Sequence, residues 1–199
     1  EYLPTLDNLD AVNPKVLVVF SGGNATGKSG LSLRIGDELQ GVVIENDAIK
    51  RAILRKIPDI DRVKEIHSLT WSYSMDLYSR LPKLTTNGLI IRDGVIDWYY
   101  DRILPIFEKA GYKIFVVQYD VGKEKSLELI RKRGDTPTAT AERLSLLVKD
   151  HAIHQERFRS EHTANVVLDE SHVFDHDKVI EQLKAFIEAA RSGAQSTGV

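Results

Sequence analysis

One short stretch near the amino end constrains the fold more than any other part of the chain. Residues 16–20 are all apolar, lie between Lys15 and Ser21, and are typical of a short buried strand. The turn that follows fits the pattern G-x-x-x-x-G-K-[ST], and a helical pattern with apolar residues four apart comes next. Strand, glycine turn and helix are the context in which this pattern predicts a phosphate-binding loop.

The residue types in this turn suit a bound polyphosphate. The glycines let backbone N–H groups approach phosphate oxygens, and the helix that opens at Lys28 directs its positive dipole end at the same oxygens. We expect Lys28 to reach the β and γ oxygens and the Ser29 hydroxyl to bind Mg²⁺. A glycine-rich turn that binds nothing is the alternative, which the flanking strand and helix disfavour. The predicted phosphate-binding residues are Gly22, Gly23, Asn24, Ala25, Thr26, Gly27, Lys28 and Ser29.

Composition places the chain among ordinary globular proteins. Its 199 residues, of which 42% are hydrophobic and 28% charged, suit a single domain. We expect this domain over 15–191, with a surface lead-in at 1–14 and a disordered tail at 192–199. The absence of cysteine excludes disulfides, thiolate metal sites and thiol nucleophiles, and it fits a cytoplasmic enzyme. The net charge of −2 provides no global basic field, and no apolar run is long enough for a membrane span.

Strand and helix patterns alternate along the chain, which predicts an α/β fold. Right-handed βαβ units would form a parallel sheet covered on both faces. Ligands in such sheets bind beyond the carboxyl ends of the strands, so the first three strands should direct Lys28, Asp47 and Asp93 toward one crevice. The predicted strands are 16–20, 42–44, 89–91, 112–119 and 166–168.

Breakers and capping residues predict the helices between these strands. Gly41 is expected to end the first helix, and Pro82 to end or kink a long helix over 61–81. Asp97 is expected to cap the amino end of the next long helix. A further helix is predicted over 140–159. Six aromatic residues could stack on a base or a sugar, although we favour core positions for them: Trp71, Tyr73, Tyr78, Trp98, Tyr99 and Tyr100.

Two aspartates follow predicted strands directly and are candidates for chemistry. Asp47 is placed where a base for a substrate hydroxyl would lie, although it would also serve as a helix N-cap. Lys50 and Arg51, one turn later, suit either contact with an acceptor or a solvated helix face. Asp93 occupies the place of a carboxylate that holds Mg²⁺ in phosphate-loop enzymes, with a turn aspartate as the alternative.

A cationic helix end precedes a polar loop and predicts a helical lid at about 131–145. Arg131, Lys132 and Arg133 are candidates for stabilising the charge of a phosphoryl group in transit. Cations in the last turn of a helix also complement its dipole, which is the structural alternative. Arg131 and Arg133 are the predicted catalytic residues of the lid, and Arg143, beyond the loop, is a further candidate for this role.

These motifs resemble those of small P-loop kinases, a group that includes the zeta-toxin kinases and the 5′-kinase domain of phage polynucleotide kinase. The resemblance rests on 22–29, 43–50, 89–94 and 130–134. It implies a three-layer P-loop NTPase fold with a five-stranded parallel sheet and a helical lid. It also implies Asp47 as the base, Lys50 or Arg51 as an acceptor contact, and a lid arginine on the phosphates.

Three functions follow from these observations. The first is an ATP- and Mg²⁺-dependent kinase acting on a hydroxyl of a small-molecule or nucleotide-like acceptor. The second is a kinase that acts on 5′-hydroxyl ends of nucleic acids. The net charge disfavours this function, but four cations on one helix could bind a phosphate backbone: Lys50, Arg51, Arg55 and Lys56. The third is a regulatory ATPase that acts through a partner. The sequence leaves the acceptor and the oligomeric state open.

Overall fold

A computed structural model describes residues 14–23, 25–57, 65–84, 88–132 and 151–195. Strands and helices alternate along these residues, as the periodicity predicts. The strands are β1 (Val16–Gly22), β2 (Val42–Glu45), β3 (Leu89–Val95), β4 (Lys113–Asp120) and β5 (Val166–Asp169). The helices are α1 (Lys28–Leu39), α2 (Asn46–Lys56), α3 (Glu65–Leu84), α4 (Tyr100–Lys109), α5 (Lys123–Lys132), α6 (His151–Glu161) and α7 (His176–Gln195).

The five strands form one parallel sheet in the order β2-β3-β1-β4-β5, which confirms the predicted α/β architecture. β1 lies at the centre, and every one of its residues is buried. Its alternating side chains enter two apolar layers: Val16, Val18 and Phe20 pack with α1 and α7, whereas Leu17 and Val19 pack with α3, α4 and α6.

The strand order places a topological switch beside β1. The chain passes from β1 to β2 and β3 on one side of the sheet, and then crosses to β4 and β5 on the other. A crevice opens at such a switch, beyond the carboxyl ends of the strands. The turn after β1 and the ends of β2 and β3 therefore share one edge of the sheet.

Two helix ends differ from their predicted positions. α1 ends at Leu39, and the left-handed residue after it is Gln40, with φ of 53°, rather than Gly41. Glycine at position 41 is instead required by close packing, because a Cβ atom there would lie 2.4 Å from Ile91 Cδ1. α3 continues through Pro82 to Leu84, so of the two expectations for this proline, an end or a kink, the helix does not end there.

Neither Asp97, expected as a helix cap, nor Asp47, for which capping was the alternative role, caps a helix. The N-cap of α4 is Tyr99, and Asp97 instead lies buried beneath the turn that follows β1. The N-cap of α2 is Glu45, and Asp47 is the second residue of that helix. The carboxylate of Asp47 is therefore not committed to an N-cap.

The predicted chain ends and lid fall largely outside the described residues. Positions 1–13 and 133–150 are not described, so neither the lead-in nor most of the predicted lid is seen. α7 extends to Gln195, so the predicted tail begins too early. No helix among the described residues combines the length and apolar character needed to cross a bilayer.

Candidate active site

The turn after β1 is held in place at its first glycine. Gly22 has φ of 113°, and its N–H donates a 2.9 Å hydrogen bond to Asp97 Oδ2. On the other side, a Cβ atom at Gly22 would lie 2.4 Å from the Tyr119 carbonyl oxygen. Only glycine fits this left-handed position between β3 and β4, so the entry to the turn is fixed by both neighbouring strands.

Lys28 folds back onto the turn that it follows. Its Nζ atom donates to the Gly23 carbonyl and, at 2.8 Å, to Thr26 Oγ1, and it lies 5.2 Å from the centroid of the Tyr119 ring. The side chain is buried, with 7% exposed. Both hydrogen-bond acceptors are neutral oxygens, and the oxygen of an entering phosphate would be a charged acceptor, which binds an ammonium group more strongly.

Ala25 occupies a backbone conformation that suits glycine better. Its φ is 64°, in the left-handed region, where a Cβ atom crowds the following carbonyl. We expect Ala25→Gly to raise the free energy of unfolding by about 1 kcal/mol, measured by urea denaturation.

The matched control for this change is Ala52→Gly in the exposed face of α2. There the same chemical change should lower the free energy of unfolding by about 1 kcal/mol, because glycine is a poor helix former. A loss of stability in both variants would show that position 25 is unstrained.

A hydroxyl and a carboxylate meet where β1 and β3 end. Ser29 Oγ donates to Asp93 Oδ1 at 3.2 Å, and Ser32 Oγ, one turn later, lies 3.3 Å from the same oxygen. Arg92 points to the opposite layer and donates to the Gly94 carbonyl at 3.0 Å. The Asp93 oxygens therefore face α1. Burial, together with the nearby Asp93 charge, raises the pKa of the Tyr119 hydroxyl.

One cavity of about 960 Å³ joins the predicted site residues. Its wall includes Lys28, Ser29 and Asp93, and also Asp47 and Lys50 from α2. The convergence predicted from the strand ends is thus present in the fold, with the Asp47 side chain exposed to this space. The predicted loop residue Asn24 lies outside the described residues.

Of the cations predicted to contact the acceptor or to act from the lid, some line the cavity and others do not. Arg51 does not line the cavity but lies 3.6 Å from Glu45 Oε2, with 58% of its side chain exposed. Arg131 is exposed and away from the cavity, and Arg133 lies outside the described residues. Lys132 lines the cavity.

The cavity wall formed by α5 carries a charged cluster. Lys132 Nζ and Lys125 Nζ lie 2.5 Å and 3.0 Å from the carboxylate of Glu128, and all three residues line the cavity. Hydrogen bonds from Lys132, and then from Lys125, lower the pKa of Glu128 below its usual value. Two cations are thus held beside the cavity by one anion.

Several residues of the cavity wall were not identified from sequence. Asn46, beside Asp47, is one of them. Trp71 and Tyr99, for which the sequence left stacking on a base or sugar open, form an aromatic pair that also lines the cavity. Phe174, with 57% of its surface exposed, covers the far side of Gly27. The sequence signal for Phe174 is its position as an aromatic residue in the turn after the last strand. Asn46 carries no such signal, because its contacts are with residues far away in the sequence.

Comparison with known proteins identifies the fold. No family model and no curated protein matches this chain. A protein from Chloroflexus aurantiacus, provisionally described as a kinase, superposes with a TM-score of 0.64, covering 89% of this chain and 98% of its own. The chain has the fold of P-loop kinases. The identity is 17%, so this likeness shows the fold alone.

Two solved structures named as kinases share the fold over nearly their whole length. A gluconokinase from Sinorhizobium meliloti has a TM-score of 0.56 and 14% identity, covering 94% of this chain and 99% of its own. The APS kinase CysC of Mycobacterium tuberculosis, in complex with AMPPNP and APS, has a TM-score of 0.54 and 15% identity, covering 86% and 98%. The narrower resemblance to zeta-toxin and phage polynucleotide kinases rests on the sequence motifs.

Proposed function

We propose that this protein is an ATP-dependent phosphotransferase that moves the γ-phosphate to a hydroxyl group of a small-molecule or nucleotide-like acceptor. The observation that carries the proposal is the single cavity that Lys28, Asp93 and Asp47 line together. A phosphate loop beside the Asp93 carboxylate suits the donor and its metal, and the Asp47 carboxylate in the wall of the same cavity suits an alcohol. The fold of P-loop kinases supports the same reaction class.

Oxygen donors for Mg²⁺ are present beside the phosphate loop. Ser29 Oγ and Asp93 Oδ1 lie 3.2 Å apart, and hydroxyl and carboxylate oxygens are the ligands that this hard cation prefers. When bound, Mg²⁺ would neutralise charge on the β and γ oxygens. The backbone N–H groups of the loop and the Lys28 ammonium would orient the triphosphate.

Asp47 is proposed as the base and Lys50 as an acceptor contact. As the new P–O bond forms and the bond to ADP breaks, the acceptor hydroxyl gives its proton to the Asp47 carboxylate. Lys50 lies one turn further along α2 on the same cavity wall. Arg51 would contact an acceptor only by leaving Glu45.

Phe174 is proposed as the surface on which the adenine ring stacks. Stacking of a base on an aromatic side chain contributes about 1–3 kcal/mol, so we expect Phe174→Ala to weaken ATP binding by about 5- to 150-fold. Calorimetric titration with AMP-PNP measures this change. Inorganic triphosphate is the control ligand, because it lacks a base and should bind both proteins equally; equal weakening of both ligands would contradict the assignment.

Lys132 is proposed as the cation that stabilises the phosphoryl group in transit. We expect Lys132→Ala to lower kcat by about 10- to 100-fold, because a fixed charge beside the transferred group is lost. Arg131→Ala is the matched control, one residue earlier on the same helix and outside the cavity. A larger loss of kcat in the Arg131 variant than in the Lys132 variant would contradict this assignment and favour the catalytic role first predicted for Arg131 and Arg133.

The experiment that tests the proposal is phosphoryl transfer from γ-labelled ATP to a panel of nucleosides, sugars, UDP-sugars, antibiotics and oligonucleotides. A labelled product that requires Mg²⁺ and Lys28 is the expected result. ATP hydrolysis that needs a protein partner and labels no acceptor would favour a regulatory ATPase instead.

A 5′-hydroxyl nucleic acid end is the second candidate acceptor. Arg55 and Lys56 are exposed on α2 and could contact a phosphate backbone, which favours this reading. Of the four cations on that helix, however, only Lys50 lines the cavity. Transfer to an oligonucleotide that falls steeply with salt concentration would identify this acceptor.

A further inference from the structure

The acceptor end of the cavity contains a side chain that the proposed reaction does not use. Asn46 is the first residue of α2, directly before Asp47, and it lines the same cavity. Its Oδ1 atom lies 3.1 Å from Ser74 Oγ and 3.1 Å from the Tyr78 hydroxyl, both on α3. The oxygen edge of the Asn46 amide therefore lies against two hydroxyl groups of α3.

The available protons determine which edge of the amide faces the cavity. Ser74 has one hydroxyl proton, and its shorter contact, 2.7 Å, is to the Thr70 carbonyl. The Tyr78 side chain is fully buried, and among the described residues its hydroxyl has Asn46 as its hydrogen-bond partner. Because an unpaired buried proton is costly, the Asn46 carbonyl oxygen turns to Tyr78 and its NH₂ group turns to the cavity.

An aromatic wall lies beside this amide. The rings of Trp71 and Tyr99 have centroids 4.3 Å apart with an interplanar angle of 34°, and both residues line the cavity. Tyr99 is 41% exposed, so one ring face is available to a ligand. Such a surface packs against the apolar face of a ring compound.

We propose that Asn46 selects the acceptor by donating a hydrogen bond to a second oxygen of a hydroxylated ring compound. The ring packs on Trp71 and Tyr99 while Asp47 takes the proton of the reacting hydroxyl. Tyr78 is a positioning residue that fixes the amide. An NH₂ group pairs only with an atom that carries a lone pair, so an ammonium group in place of the second oxygen is rejected. This inference rests on the proposed kinase function.

Matched acceptors test the proposal directly. The probes are D-glucose with its 2-amino and 3-amino derivatives, and myo-inositol with an inosamine, each incubated with γ-labelled ATP. We expect wild-type kcat/KM for a parent compound to exceed that for an amino derivative by about tenfold or more. Asn46→Asp, which presents only acceptor oxygens, should reverse this preference.

The role of Tyr78 is tested by removing its hydroxyl alone. Tyr78→Phe should raise KM for the ring acceptor by about tenfold without changing the affinity for AMP-PNP, because the Asn46 amide is then free to rotate. Tyr73→Phe is the matched control, an exposed tyrosine on the same helix. The melting temperature of each variant shows whether the fold is retained.

Three outcomes would overturn the proposal, and they are distinguishable. Equal labelling of parent and amino compounds, or an unchanged preference in Asn46→Asp, removes the role of Asn46. Absence of label on every ring compound, with AMP-PNP binding intact, removes the acceptor class while leaving the nucleotide site. Failure to bind AMP-PNP at all removes the kinase function on which the inference rests.

Discussion

Replacing Asp47 by asparagine is expected to lower the rate of phosphoryl transfer by about 10²- to 10⁴-fold, the range for loss of a general base. The amide has nearly the size of the carboxylate but cannot accept the proton of the acceptor hydroxyl. Asp47 lines the cavity from α2 and is not part of the phosphate loop, so the affinity for ATP should remain nearly unchanged. Single-turnover transfer from labelled ATP and titration with AMP-PNP measure the two quantities separately.

A neighbouring acid provides the control for this variant. Glu45→Gln removes the carboxylate that pairs with Arg51, two residues earlier and outside the cavity wall, and should leave transfer close to the wild-type rate. Full transfer activity in Asp47→Asn would rule out the assigned base. Loss of AMP-PNP binding in the same variant would show that Asp47 serves the donor instead.

Replacing Gly22 by alanine is expected to produce the largest change in stability. The added Cβ atom would meet the Tyr119 carbonyl oxygen at 2.4 Å, and the residue would have to keep a φ of 113°. Left-handed strain alone costs about 1–2 kcal/mol, and overpacking adds about 1–3 kcal/mol, so we expect a loss of about 2–5 kcal/mol in the free energy of unfolding.

Gly111 offers a control that separates strain from steric clash. Its φ is 84°, but a Cβ atom there meets nothing within 4 Å. Gly111→Ala should therefore cost only the strain, about 1–2 kcal/mol in denaturant unfolding. Equal losses in the free energy of unfolding for the two variants would show that the backbone at Tyr119 moves to accommodate the added Cβ atom. The entry to the phosphate loop would then not be rigidly held.

The strand–turn–helix unit at 16–39 was predictable because its determinants are local. An apolar run, glycines at fixed offsets and four-residue periodicity all act within one segment. The same holds for the strands that deliver Asp47 and Asp93, and for the parallel sheet that follows from alternation. The cavity that joins these residues confirms the predicted convergence of the strand ends.

The remaining features depend on contacts between segments far apart in sequence. Asp97 satisfies the N–H of Gly22, 75 positions away, and the Asn46 amide is held by Tyr78 on the next helix. A capping propensity describes only neighbouring residues, so it assigned Asp97 to a helix that begins at Tyr100. α3 continues past Pro82 for a related reason, since packing of that buried turn offsets the low helix propensity of proline.

The most direct test of the central claim is a crystal structure of the protein grown with Mg²⁺ and AMP-PNP. We expect the triphosphate to lie along 22–29, with Lys28 Nζ moved from Gly23 and Thr26 to the phosphate oxygens. The metal should lie between Ser29 and Asp93, and the γ-phosphate should face Asp47. A nucleotide bound elsewhere, or a γ-phosphate turned away from Asp47, would contradict the account.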